Sequence, residues 1–155
     1  MRDKYFEDAP EAEKIQRSLG VYLAEGPLGK ALVELVYLRV SQINGCAYCL
    51  DMHATALRKL DFDQRKMDVL AGWREARSLF DQREQLALEV AEALVPHCRD
   101  GVPDELYARA RAVFSGREMA DLVFTIGLMS SWNRVAIAFH ADLPSRRAVS
   151  RSAAE

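Results

Sequence analysis

Apolar residues recur along this chain at helical spacing, in blocks of helix length separated by glycine, proline and short acidic stretches. No segment alternates apolar and polar residues for long enough to predict a strand. Pro10 opens a first helix that ends near Leu23, ahead of Glu25-Gly26. Pro27 suits the first turn of a second, in which Leu28, Leu32, Leu35, Val36, Leu38, Val40 and Ile43 form a broad apolar face until Asn44-Gly45 breaks it. A third helix is predicted from about Cys46 to Leu60, and Asp61 or Asp63 caps a short fourth carrying Met67, Val69 and Leu70. Asp81-Gln-Arg-Glu84 reads as a capping box for a fifth, reaching Leu94 before Pro96. Pro103 begins a sixth that ends near Phe114, and Ser115-Gly-Arg-Glu118 caps a long last helix running to about His140. The pattern predicts one all-α domain over 1–144, a bundle of about six to seven helices, with no internal repeat or dividing linker. Residues 145–155 have almost nothing to bury and are predicted to be a disordered tail.

In the last helix Leu122-Val-Phe-Thr-Ile-Gly-Leu-Met129 is apolar nearly all round. Such a helix is either central to the domain or shared with another subunit, so a homo-oligomer is expected. It does not predict a membrane span. Only 11 residues separate Asp121 from Asn133, against the roughly 20 needed to cross a bilayer. The N-terminal MRDKYFEDAP lacks a signal peptide's apolar core, so a cytoplasmic location is expected. With 21 basic and 23 acidic residues the net charge is −2, and carboxylates intersperse the arginines. No nucleic-acid partner follows from such a balance.

The candidate chemistry sits in Ile43-Asn-Gly-Cys-Ala-Tyr-Cys-Leu-Asp-Met-His53. Three cysteines (Cys46, Cys49, Cys98) are no disulfide scaffold in a chain of 155 residues. On a helix, positions 46, 49 and 53 fall within an arc of roughly 60°, so both sulfurs and the imidazole project the same way. Cys46 lies at the helix start, where free backbone N–H groups favour a thiolate. His53, four residues after Cys49, is placed to take its proton. Glu34 joins by register. If the chain reverses at Asn44-Gly45, Glu34 falls level with Thr55 and within one turn of His53, where a carboxylate can orient the ring.

Zinc is the main physical rival, since two thiolates and an imidazole supply three ligands. Ligands on one helix cannot easily surround an ion, however, and neither a second C-x-x-C nor an H-x₃₋₅-H is present. No metal or other cofactor is expected. Cys98 reads as a bystander thiol, and Trp73 and Trp132 as packing residues. Arg39 and Arg134, set in apolar helices, are expected to pair with buried carboxylates, Glu34 being one candidate in competition with His53.

Glu34, Cys46 twelve residues on, Cys49 and His53 together resemble the active-site signature of the carboxymuconolactone decarboxylase superfamily, in its alkylhydroperoxidase D-like branch. The stretch from Leu38 to His53 and Ser131-Trp-Asn-Arg134 are similar to that branch as well. The resemblance implies an all-α fold that assembles into trimers or hexamers, and peroxidase chemistry without metal or haem. It implies that Cys46 and Cys49 are the redox pair and that His53 and Glu34 relay protons. The family's decarboxylases lack the cysteine pair, and some members carry a histidine where this chain has Ala47-Tyr48. The expected activity is a peroxiredoxin-like, antioxidant reduction of a hydroperoxide, recycled by a dithiol donor of the lipoyl or thioredoxin type. Helix position favours Cys46 as the attacking sulfur and the i+4 histidine favours Cys49. Cys46, at the more open helix start, is the expected point of attack for the reductant. The alternative is a thiol–disulfide reductase or redox switch using the same pair.

Overall fold

The computed structural model describes residues 4–96 and 98–143. Eight α-helices are formed among them: α1 (Tyr5–Asp8), α2 (Pro10–Ala24), α3 (Lys30–Asn44), α4 (Ala47–Lys59), α5 (Gln64–Val69), α6 (Gln82–Leu94), α7 (Asp104–Arg111) and α8 (Gly116–Ala138). Short 3-10 turns lie at Leu70–Gly72, Arg77–Leu79 and Cys98–Asp100, and the described residues contain no strand. The seven helices expected from the sequence are all present. The additional one, α1, is a four-residue turn whose Tyr5 is buried and stacks on Phe139 at 5.1 Å. It is held by a contact spanning nearly the whole chain, which local pattern cannot reveal. The predicted tail, 145–155, lies outside the described residues.

Helix starts follow their side chains. Asp81 and Ser115 each close a capping box with Glu84 and Glu118. The Ser115 backbone N–H and then Arg83 hold the Glu118 carboxyl down to about 2. Asp63 caps α5 through the Arg65 N–H, while Asp61 occupies a left-handed turn (φ 52°). One boundary moved. Pro27 does not start α3, because Gly29 adopts φ 84° and the helix begins only at Lys30.

The centre of the molecule is α3, which packs against α4, α6 and α8. Val33, Leu35, Val36 and Val40 are fully buried, each side chain contributing about 1.5–3 kcal/mol on removal from water. Helix α8 lies across α3 with Leu122, Thr125, Ile126, Met129 and Asn133 inward. It is not covered all round, for Val123, Phe124 and Ile137 face solvent in the single chain.

The join between α3 and α4 is tight. Gly45 takes a left-handed conformation (φ 71°, ψ 30°) and its N–H bonds the Gln42 carbonyl, while the Cys46 N–H bonds that of Ser41. This is a Schellman ending, which satisfies the last carbonyls of α3 and reverses the chain within two residues. A Cβ at Gly45 would meet no heavy atom within 4 Å, so only the backbone demands glycine there. Gly45→Ala is therefore expected to lose about 1–2 kcal/mol of stability by chemical denaturation. Gly45→Asn, which tolerates the left-handed region better, should lose clearly less; equal losses would mean that crowding, not backbone strain, governs the turn.

Candidate active site

Cys46 belongs to two helix ends at once. Its backbone N–H completes the cap of α3, and its side chain caps α4 by accepting the Cys49 N–H at 3.3 Å. Cys49, one turn on, brings its sulfur to 2.6 Å from that of Cys46. Both thiols are free and buried. The contact is short enough that oxidation requires the sulfurs to close only to the bonded separation of about 2.05 Å. The Cys49 thiol donating to Cys46, helped by the Cys49 backbone N–H and the Asn133 amide, holds the Cys46 thiol below the usual range against the opposing effect of burial. The same hydrogen bond, together with burial and the Cys46 charge, pushes Cys49 up. The pair thus sheds one proton readily and keeps the second.

Asn133 connects α8 to this turn. Its Nδ2 donates to Ser41 Oγ at 3.1 Å, and Asn44 Nδ2 donates to its Oδ1 at 2.9 Å. A fully buried amide interrupting an apolar helix is explained by these partners.

Glu34 and His53 come together across the hairpin. Their contact of 2.7 Å joins Glu34 Oε2 to His53 Nδ1, with the side chains 12% and 7% exposed. A carboxylate only accepts, so Nδ1 carries the proton and Nε2 is left to serve as the reactive nitrogen. That Nε2 is buried and has no hydrogen-bond partner among the described residues. The competing partner for Glu34 is engaged elsewhere. Arg39 binds Glu92 at 2.7 Å and Gln42 at 3.0 Å, and Glu92 also accepts the Trp73 indole N–H. Arg134 departs from expectation. It lies exposed and donates to the Ser130 carbonyl on its own helix rather than to a buried carboxylate.

Helices α1, α2, α3, α4 and α8 line a half-open, mainly apolar cavity of about 350 Å³, with Glu34, Tyr37, Tyr48, Cys49, His53 and Trp132 in its wall. Cys49 reaches this space; Cys46 does not line it and is 1% exposed. The expectation that Cys46 is the more open sulfur is thereby corrected, because capping α4 turns its side chain into the protein. Trp132 belongs to the cavity wall as well as to the packing. Tyr37 was not anticipated, although its i+3 spacing from Glu34 on α3 puts both on one face. Its ring lies 4.9 Å from that of His53.

Comparison with known proteins places this geometry. The family model described as the carboxymuconolactone decarboxylase family matches residues 10–93, a span holding all four expected site residues. The chain belongs to this family. The uncharacterized protein YdfG of Bacillus subtilis is 39% identical over 139 residues, covering 88% of this chain and 92% of its own. A crystal structure from Agrobacterium tumefaciens, of a protein of unknown function provisionally named antioxidant defence protein AhpD, superposes with a TM-score of 0.86 at 31% identity, over 94% of this chain and 99% of that one. An uncharacterized peroxidase-related protein from Silicibacter sp. TM1040 gives 0.73 at 27% identity, over 82% of this chain and 67% of that one. Within the carboxymuconolactone decarboxylase family, the chain therefore has the alkylhydroperoxidase D-like fold.

The electrostatics of the pair lead to a titration test. In a Cys98→Ala background, ultraviolet thiolate absorbance should rise in two steps, one below the ordinary thiol value of about 8.5 and one above it. Since the thiolate is the absorbing and reactive form, lowering the first pKa preserves reactivity at lower pH. A single step near the ordinary value would contradict the shared-proton description.

Proposed function

We propose that this chain is a thiol-dependent peroxidase that reduces hydroperoxides through a dithiol–disulfide cycle of Cys46 and Cys49. The observation that carries the reading is the sulfur pair at 2.6 Å, with Cys49 on the wall of a cavity shared with a buried Glu34–His53 pair. In the proposed cycle His53 takes the pair's first proton at Nε2, Glu34 stabilising the imidazolium. The remaining proton lies between the sulfurs; when it sits on Cys46, Cys49 is the thiolate facing the cavity. Cys49 attacks the terminal oxygen of the hydroperoxide, the O–O bond breaks, and His53 returns its proton to the leaving alkoxide. The products are an alcohol and a Cys49 sulfenic acid. Cys46 then forms the disulfide with Cys49, and the sulfenic oxygen leaves as water. Overall, two thiols and a hydroperoxide yield a disulfide, an alcohol and water.

Division of labour between the sulfurs supports this order. Cys46, held below the usual thiol range, is the better leaving group when a dithiol reductant attacks the disulfide at Cys49. Both sulfurs are 1% exposed. That burial favours a small hydroperoxide over a protein disulfide as oxidant, and a slender donor of the lipoyl type over a folded thioredoxin. Three solvent-facing apolar residues of α8, Val123, Phe124 and Ile137, support assembly into a homo-oligomer.

Peroxide treatment followed by peptide mass mapping tests the cycle. The expected product is a 46–49 disulfide in the parent and a sulfenic acid on Cys49 in the Cys46→Ser variant, with no turnover in Cys49→Ser. His53→Gln should slow disulfide formation by about a hundredfold. A pair that stays reduced under hydroperoxide but exchanges with a protein disulfide would replace the peroxidase reading by the reductase one.

A further inference from the structure

Among the described residues, three buried side-chain polar atoms have no hydrogen-bond partner: Gln16 Oε1, Tyr37 Oη and His53 Nε2. All three residues line the same cavity as Cys49. Leaving a buried polar atom unpaired costs about 1–3 kcal/mol. Three residues from α2, α3 and α4, each carrying such an atom, line one mainly apolar space and mark it as a ligand site. His53 is already used by the peroxidase cycle; Tyr37 and Gln16 are not.

The two remaining atoms differ in chemistry. Gln16 Oε1 only accepts hydrogen bonds, whereas the Tyr37 hydroxyl can donate. Tyr37 is 6% exposed, and its ring is fixed against the His53 imidazole at 4.9 Å. Burial, and then the nearby Glu34 charge, push its phenol up, so it stays a protonated donor across the physiological range. A hydroperoxide presents one matching pair of functions, an O–H on the terminal oxygen and an inner oxygen that gains negative charge as the O–O bond breaks. An acceptor suits the first and a donor that keeps its proton suits the second.

We infer that Tyr37 is a further catalytic residue, its hydroxyl donating a hydrogen bond to the leaving oxygen of the bound hydroperoxide while Gln16 Oε1 accepts from the terminal O–H. The inference rests on the peroxidase reading and extends it. Tyr37 does not supply the transferred proton, which comes from His53. It stabilises the charge on the inner oxygen until that proton arrives, so its contribution grows with the basicity of the leaving group.

The test compares Tyr37→Phe with the parent on tert-butyl hydroperoxide, whose leaving alkoxide is strongly basic, and on peracetic acid, whose leaving carboxylate is not. The measured quantity is the second-order rate of 46–49 disulfide formation. Tyr37→Phe is expected to lose roughly a hundredfold on the alkyl hydroperoxide and less than about threefold on the peracid, with thiol alkylation by iodoacetamide unchanged. Because the hydroxyl has no partner among the described residues, the variant should unfold at no lower denaturant concentration than the parent. Equal losses on both oxidants, or a loss of alkylation rate, would overturn the role, since either would mean that Tyr37 shapes the site without meeting the leaving oxygen. No loss on either would overturn it too. A parent chain inert to both oxidants would instead remove the peroxidase reading, and this inference with it.

Discussion

The candidate site depends on one backbone constraint, the left-handed turn at Gly45. Because the chain reverses there within two residues, α3 and α4 run back along each other in a fixed register. Residues 34 and 53, nineteen apart in sequence, can then meet at 2.7 Å, one on each arm of the hairpin. The same reversal leaves Cys46, directly after Gly45, as the cap of α4, the place where a sulfur anion is best stabilised by backbone N–H groups. Helix α8 secures the turn through Asn133, which bonds Ser41 and Asn44 and also acts on both thiols.

Burial then gives this arrangement its chemical character. Glu34 and His53 sit almost entirely out of water, so removing either partner alone leaves a buried polar group unsatisfied, at a cost of about 1–3 kcal/mol. A pair of that kind is rigid, and His53, whose Nε2 has no partner among the described residues, lines the mainly apolar cavity. The sulfurs are divided by the same geometry. One is turned inward and is the better stabilised anion; the other reaches the cavity, and the single proton they share must pass to the inner sulfur before the outer one can attack.

Much of the framework was legible in the sequence, because it is set by local signals. Capping boxes at Asp81 and Ser115, the Asn44-Gly45 break and the helical spacing of Cys46, Cys49 and His53 each act over a few residues. Placing Glu34 near His53 required only the assumption of a hairpin. What the sequence did not reveal depends on distant parts of the chain. Helix α1 is anchored by Phe139, and Arg39 is drawn away from Glu34 by Glu92 on α6. The burial of Cys46 follows from its cap geometry and could not be read from its position at a helix start. Gln16 and Trp132 join the cavity only because α2 and α8 pack beside the hairpin.

The central claim is that Glu34 and His53 work as one unit on the sulfur pair. A double-mutant cycle tests this directly, measuring the rate of 46–49 disulfide formation with a hydroperoxide in the parent, Glu34→Gln, His53→Gln and the combined variant. If the two act as a unit, the combined variant should be no more than about threefold slower than the worse single one, because the second change removes nothing further. Losses that multiply would show two independent contributions and contradict the account.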